Sequence, residues 1–368
     1  MDARAIMRWH RVGVLAALAL LLSYAETFVP IPIPGVKLGL ANVPVLMALD
    51  AHDEGAAVSV AAIKVLASGL LFGSPITLAY SLAGTAASLA LMVPLSRLKT
   101  MRLPMCSVAG AIAHEMGQLA VAALVLGSAS VFYLTPLLSC AGIVCGAVSG
   151  ELARRLARAW PDDLGIDPAR IVLPDLAGAR PARSVLWGLA ALVVLTVVAF
   201  RVGDVRVLAA MAALALAACL ARRTSAAAIA RCLRLTLTMG ALTLVAGLLV
   251  SRYGTAPDAL AATLRLATIS IGALAVSSAV DEAQVMPTVT WLVSPLRALG
   301  LDAQGFALAT SVALTCVPHI GPIVRREREA AGALSPDAIG ELVPRVVAEL
   351  AEVTLTGEAR DAVPEGGA

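Results

Sequence analysis

The residues of this chain best placed to do chemistry are ionisable and amide side chains set inside long apolar runs. His114, Glu115 and Gln118 lie within the run 105–126, while Glu26, Asn42 and Lys64 lie in or beside three earlier runs. An ionisable group at membrane depth is costly, so such groups line a cavity or pair with one another. On a helix, His114 and Gln118 share one face and Glu115 sits beside them. The six side chains form a set of charges, donors and acceptors suited to holding a small molecule within a bilayer. Structural Lys–Glu or His–Glu pairs that only tether helices use the same residue types, and spacing does not separate the two readings.

Enzyme motifs are missing from the rest of the sequence. There is no phosphate-binding GxxxxGK[ST] loop, so ATP hydrolysis would have to come from other chains, and there is no nucleophile elbow or zinc-protease motif. The nearest approach is Asp162-Asp163-Leu164-Gly165-Ile166-Asp167. Clustered carboxylates can hold magnesium on a diphosphate, but Gly165 and Pro168 favour a solvated turn, and no second cluster faces this one. Cysteines 106, 140, 145, 219, 232 and 316 show no CxxC spacing and read as small packing residues. No catalytic residue, metal or cofactor is expected.

The elements that would position these groups follow from composition. Of 368 residues, 59% are hydrophobic and 14% charged, with a mean hydropathy of +0.87. A soluble domain has about half its residues apolar and about a quarter charged, so the excess requires a bilayer. A net charge of +3 makes no electrostatic footprint for nucleic acid. Membrane helices need about 20 mainly apolar residues. The first half offers 12–29, a short run at 38–49, 56–72, 76–95, 105–126 and 132–150. Arg4, Arg8 and Arg11 before the first run resemble a signal-peptide start, yet the apolar runs that follow at once favour a retained helix. Between 151 and 184 arginines, aspartates and prolines mark a linker. Runs at 185–200, 205–221, 233–250, 259–280 and 303–323 follow, with an amphipathic stretch at 284–300 and a charged tail. The expected fold is all-α and polytopic: a first membrane domain over 1–152, a cytoplasmic linker over 153–184 and a second membrane domain over 185–368.

Basic residues near short loops mark the cytoplasmic side. With the N-terminus inside, alternate crossings bring Arg97, Lys99 and Arg102, then the linker, then Arg222, Arg223 and Arg231 to that side. A full crossing at 303–323 would put Arg325, Arg326 and Arg328 outside. Pro287, Pro295, Pro318 and Pro322 interrupt this region, so 284–323 is expected to avoid a simple crossing and 324–361 to be cytoplasmic. Both chain ends would then face the cytoplasm of a multi-pass cell-membrane protein.

Two further patterns concern packing. Gly142, Gly146 and Gly150 repeat every fourth residue and form a smooth stripe for a close helix neighbour. Spacing does not say whether that neighbour is internal or another subunit; internal packing is the safer expectation. Residues 337–361 carry an apolar stripe of Leu342, Val346, Leu350, Val353 and Leu355 among charged residues. It fits a partner surface or a fold-back onto its own neighbour.

Two resemblances extend this reading. Residues 15–150 resemble the Gx transporter family, long labelled heptaprenyl diphosphate synthase component I. The matching strings are Leu22-Ser23-Tyr24-Ala25-Glu26, Pro30-Ile31-Pro32-Ile33-Pro34-Gly35-Val36-Lys37-Leu38-Gly39-Leu40-Ala41-Asn42, Leu71-Phe72-Gly73-Ser74, Ser81-Leu82-Ala83-Gly84 and Ala113-His114-Glu115-Met116-Gly117-Gln118. That family is similar to the six-helix substrate-binding S components of energy-coupling-factor transporters. It usually has Asn at Glu115 and Arg at Lys64. Residues 185–361 are similar to the T component of those transporters, the CbiQ-like family, through Leu264-Arg265-Leu266, Ser294-Pro295-Leu296-Arg297-Ala298-Leu299-Gly300 and Val317-Pro318. T components carry two Ala-Arg-Gly-like motifs on coupling helices. This chain has Ala330-Ala331-Gly332 with Arg328 nearby, then Ala359-Arg360-Asp361, and coupling helices at about 324–361. The resemblances imply a fused S and T component of an importer for a small vitamin-like or lipophilic molecule, driven by two cytoplasmic ABC ATPase subunits. The older label implies instead an accessory subunit of polyprenyl diphosphate or quinone synthesis.

Overall fold

The computed structural model describes residues 1–26, 38–71, 75–98, 100–126, 129–160, 169, 171, 182–249, 256–278, 288, 291, 302–331, 346–350 and 352–353. These are helical with no strand among them. In the first half α1 spans Ala3–Glu26, α2 Val43–Asp50, α3 Glu54–Leu71, α4 Pro75–Ser96, α5 Leu103–Leu126 and α6 Thr135–Ala159. In the second, α7 spans Arg183–Arg201, α8 Val205–Ala221, α9 Ala226–Leu249, α10 Ala256–Ser277 and α11 Ala303–Ala331. Among the described residues six helices are long and apolar enough to cross a membrane. The chain is therefore an all-α protein with the composition and helix lengths of a multi-pass membrane protein.

Small residues set the contacts between neighbours. Lipid supplies no hydrophobic drive for helix association, so membrane helices adhere by close packing. On α6, Gly146 and Gly150 face α5 so closely that an added Cβ would come 2.7 Å from the Val108 Cα and 2.6 Å from the Pro104 Cα. Gly142 has more room, 3.4 Å from the Ile112 nitrogen. The glycine stripe thus lies against α5 of its own chain. On α5, Gly117 lies under α4, where a Cβ would sit 2.5 Å from the Ala83 carbonyl oxygen.

Ion pairs gather loops at one end of the bundle. Arg8 of α1 donates to both Asp53 oxygens at 2.7 and 2.8 Å, and Arg97 donates to both Glu54 oxygens at 2.6 Å. The N-terminus of α1, the turn before α3 and the end of α4 therefore share one face. A cleft lined jointly by Arg4, Asp53 and Trp160 brings the end of α6 there too. We call this the basic face.

In the second half α7 and α10 run antiparallel, with Gly188 beside Val276 and Gly272 beside Leu195. The α8 helix packs on α10 through Cys219, whose thiol reaches the Ile271 carbonyl at 3.4 Å, and through Thr268, whose hydroxyl reaches the Leu208 carbonyl at 3.3 Å.

The two halves are joined through α1 and α11. Gly13 meets Val312 and the Ala309 carbonyl, Gly305 lies beneath the Trp9 indole, and Trp9 donates to Asp302 at 2.7 Å. Farther along, Gly321 lies near the Tyr24 hydroxyl. The two helices therefore run parallel, and α1 is buried along most of its length. One apolar cluster includes Leu18 of α1, Leu46 of α2, Ile63 of α3, Leu156 of α6, Leu308 of α11 and Leu350 of the tail.

Two features add to the expectations from sequence. First, 303–331 is one continuous helix from the basic face to the opposite face, while 284–301 lies outside the described residues apart from Thr288 and Trp291. Prolines inside membrane helices are tolerated where the surroundings re-satisfy the backbone, and Pro318 and Pro322 do not end α11. Arg325 and Arg326, with Arg328 farther along the same helix, consequently lie at the end remote from Arg8 and Arg97. There Arg326 forms a bidentate pair with Glu349 at 2.6 and 3.2 Å. An orientation rule that counts arginines does not register such pairing. In the tail, Val346, Val347, Leu350 and Val353 are buried on this core. That part of the stripe folds back on its own chain; Leu342 and Leu355 lie outside the described residues. Second, α6 continues to Ala159 past the expected domain limit at 152, because Leu152, Ala153 and Leu156 still face the core.

Candidate functional site

Four of the six polar candidates are arranged around the α1–α3–α5–α6 side of the first half. Glu26 occupies the last turn of α1, where its Oε1 accepts the Gly39 N–H at 2.6 Å. Gly39 has φ +78°, a left-handed conformation that suits glycine. It opens the single 3-10 turn Leu40–Asn42 that leads into α2. Asn42 stands at the entry to α2, and its Oδ1 accepts from the Lys64 ammonium of α3 at 2.5 Å. Glu26 and Lys64 are each only 8% exposed, so the bundle encloses both a carboxyl and an ammonium.

The next layer is α6 and α5. Ser149 of α6 lies about the Gly39 backbone and exchanges a 3.2 Å hydrogen bond with Ser107 of α5. Pro104, Ser107, Val108 and Ala111 of α5 meet the α6 glycines. One turn beyond Ala111, Glu115 shares that helical face and so lies on the α6 side of α5. A polar track runs Lys64, Asn42, Gly39 and Glu26, with the Ser149–Ser107 pair beside it.

His114 and Gln118 take the other side of α5. Their side chains lie 3.2 Å apart, and the imidazole covers Gly84 of α4, where an added Cβ would sit 2.8 Å from the ring. Gly84 and Gly117 together let α4 and α5 approach closely enough for the imidazole to bridge them. The Ser81–Gly84 and Ala113–Gln118 strings are therefore the two sides of one helix contact. Neighbouring residues in sequence, His114 and Glu115 serve different faces.

The arrangement can hold an organic molecule by charge and hydrogen bonding: a carboxylate end at Glu26 and Glu115, an ammonium at Lys64, and an imidazole with an amide at His114 and Gln118. Among the described residues no group of three or more His, Cys, Asp or Glu side chains could hold a metal ion. The Asp162–Asp167 cluster lies outside the described residues, as do Ala359 and Arg360. Arg328 falls within α11, at the end away from the basic face.

Several participants carried only weak signals in the sequence. Ser107 and Ser149 are small polar residues at helical spacing, eight before Glu115 and four after Cys145, and that register was the available clue. Gly39 acts through its backbone N–H. Outside the bilayer-spanning runs, the Asp53 carboxyl is held below its usual range, chiefly by the Arg8 hydrogen bonds and also by the Ala56 N–H. Glu54 is held down chiefly by its hydrogen bonds from Arg97.

Residues 15–156 match the family model described as heptaprenyl diphosphate synthase component I. The match ends within α6, so it contains Glu26, Asn42, Lys64, His114, Glu115 and Gln118 and none of the second half. No curated protein and no solved structure matches the chain.

Proposed function

We propose that the chain is a non-catalytic membrane component of an energy-coupling-factor type ABC importer, in which the first half binds a small vitamin-like or lipophilic molecule. The second half would couple it to two ATPase subunits. The observation that carries this reading is the enclosed pair of ionisable groups, Glu26 and Lys64, joined to the Gly39–Asn42 turn inside a bundle whose sequence matches the family model. Buried ionisable groups at membrane depth are a hallmark of substrate pathways. By the positive-inside rule the basic face is the cytoplasmic one, and the ATPases would meet the protein there. Arg328, at the other end of α11, is then removed from the coupling residues, and Arg360 remains the candidate on the tail.

The name of the matching family favours a second reading, an accessory subunit of heptaprenyl diphosphate synthesis. Affinity purification from membranes, with the co-purifying subunits identified by mass spectrometry, separates the two. Two ABC ATPases are expected; a soluble prenyl synthase in their place would sink the importer reading. In the importer, Glu26→Gln and His114→Ala should each lower retention of the co-purifying small molecule without loss of membrane insertion. Equal retention in both variants would move the site elsewhere.

A further inference from the structure

A cleft of about 730 Å³ opens on the basic face, at the far end of α1 from Glu26, and the substrate track does not use it. Its walls come from α1, α2, the turn before α3 and the end of α6. Its lining combines the apolar Met7, Val12, Leu15, Met47 and Trp160 with the charged Arg4, Arg8, Arg11, Asp50 and Asp53. Arg8 is committed to Asp53 by its two-pronged pair and stacks over Trp9 at 5.3 Å. Arg4 and Arg11 are exposed and make no ion pair among the described residues.

We propose that this cleft binds one anionic phospholipid from the cytoplasmic leaflet, its phosphate between Arg4 and Arg11 and an acyl chain along Met7, Leu15 and Met47. Three arginines against two aspartates leave a single positive charge, which one phosphodiester balances and a diphosphate would overcompensate. A free inorganic anion would leave the apolar lining wet, and an uncharged lipid would leave both guanidinium groups without a counter-ion. Basic pockets between membrane helices near the cytoplasmic surface suit lipid headgroups, and Trp160 at the rim is a residue type enriched at the membrane interface. Because α1 also forms the seam with α11, lipid in this cleft would brace the helix joining the two halves.

Native mass spectrometry of the full-length protein in detergent tests this with added phosphatidylglycerol or phosphatidylcholine. One phosphatidylglycerol should be retained in preference to phosphatidylcholine. In the Arg4→Gln/Arg11→Gln variant its affinity should drop about twenty-five-fold, taking about fivefold per arginine near an anionic headgroup. Arg222→Gln/Arg223→Gln, which removes two exposed arginines elsewhere, should leave retention unchanged. Ala51→Trp, at an exposed position on the cleft wall, should block retention while keeping every charge, and it decides the matter if the arginine variant fails to fold. Equal retention of both lipids, or undiminished retention in Arg4→Gln/Arg11→Gln or in Ala51→Trp, overturns the proposal. Displacement of phosphatidylglycerol by a lower concentration of farnesyl diphosphate overturns the bilayer source and assigns the cleft to a soluble prenyl diphosphate. The outcome is independent of which ATPase or synthase co-purifies.

Discussion

Lys64 and Asn42 show what a single enclosed polar contact asks of its neighbours. The ammonium is nearly buried and donates to the Asn42 amide oxygen at 2.5 Å. Removing Asn42 takes one acceptor from a desolvated ammonium, and a hydrogen bond to a charged group is worth about 1.5–3 kcal/mol. Asn42→Leu is therefore expected to lower the thermal unfolding midpoint in detergent, and Asn42→Asp, which keeps an acceptor at this position, to lower it less. Equal losses in the two variants would show that residue 42 acts through shape rather than through its oxygen. The exposed Arg8–Asp53 clamp behaves differently, because it titrates. A carboxyl whose folded-state value is lowered contributes stability that is fully present above its unfolded value of about 3.9 and lost as pH falls through the folded value. The stability difference between the parent chain and Asp53→Asn should hold from about pH 7 to about pH 5 and shrink below about pH 4. A difference unchanged at about pH 3 would show that Asp53 acts through shape rather than charge.

At the scale of helices, the glycine stripe gives graded contacts that can be ranked. An alanine methyl at 146 or 150 meets α5 backbone, which cannot move aside, and overpacking of this kind costs about 1–3 kcal/mol. At 142 the nearest atom is 3.4 Å away, and the helix gains up to about 1 kcal/mol of propensity from alanine. Gly146→Ala and Gly150→Ala should thus lower the unfolding midpoint while Gly142→Ala leaves it level or raises it. Equal effects at all three positions would place the α5–α6 contact elsewhere. The stripe itself was legible in the four-residue spacing of the sequence; its partner was not, since spacing describes one helix and says nothing of the next. The limit of α6 escaped for another reason. Composition turns charged at Glu151, but the charges pair along the helix, with Arg154 reaching Glu151 at 2.5 and 2.8 Å, while Leu152 and Leu156 stay in the core. Amphipathic continuation looks like a linker when only composition is weighed. His114 and Glu115 show the same limit at the site: both were legible as candidates, but their division between α4 and α6 depends on the close approach at Gly84 and Gly117.

For the whole molecule, the seam between α1 and α11 decides the architecture. The composition shift suggested two membrane domains with a linker between, yet α1 packs its length on α11, more than 290 positions away at the Trp9–Asp302 bond. No local pattern announces such a contact, because Gly13, Ala309, Gly305 and Trp9 are ordinary members of their own helices. The parallel course of the two helices has a consequence for orientation. If Arg4 at the start of α1 is on one side of the membrane, Arg325 near the end of α11 is on the other. Cysteine substitution reads this directly, since both positions are exposed. In a variant with the exposed Cys140 replaced by Ser, a membrane-impermeant maleimide should label Arg325→Cys in intact cells and Arg4→Cys only after the membranes are opened. Labelling of both from the same side would mean that α11 returns before crossing, and it would restore residues 324–361 to the cytoplasm as coupling helices. Labelling from opposite sides would confine the proposed ATPase contact to the basic face, where a variant such as Arg102→Glu becomes the next one to test for loss of any co-purifying ATPase.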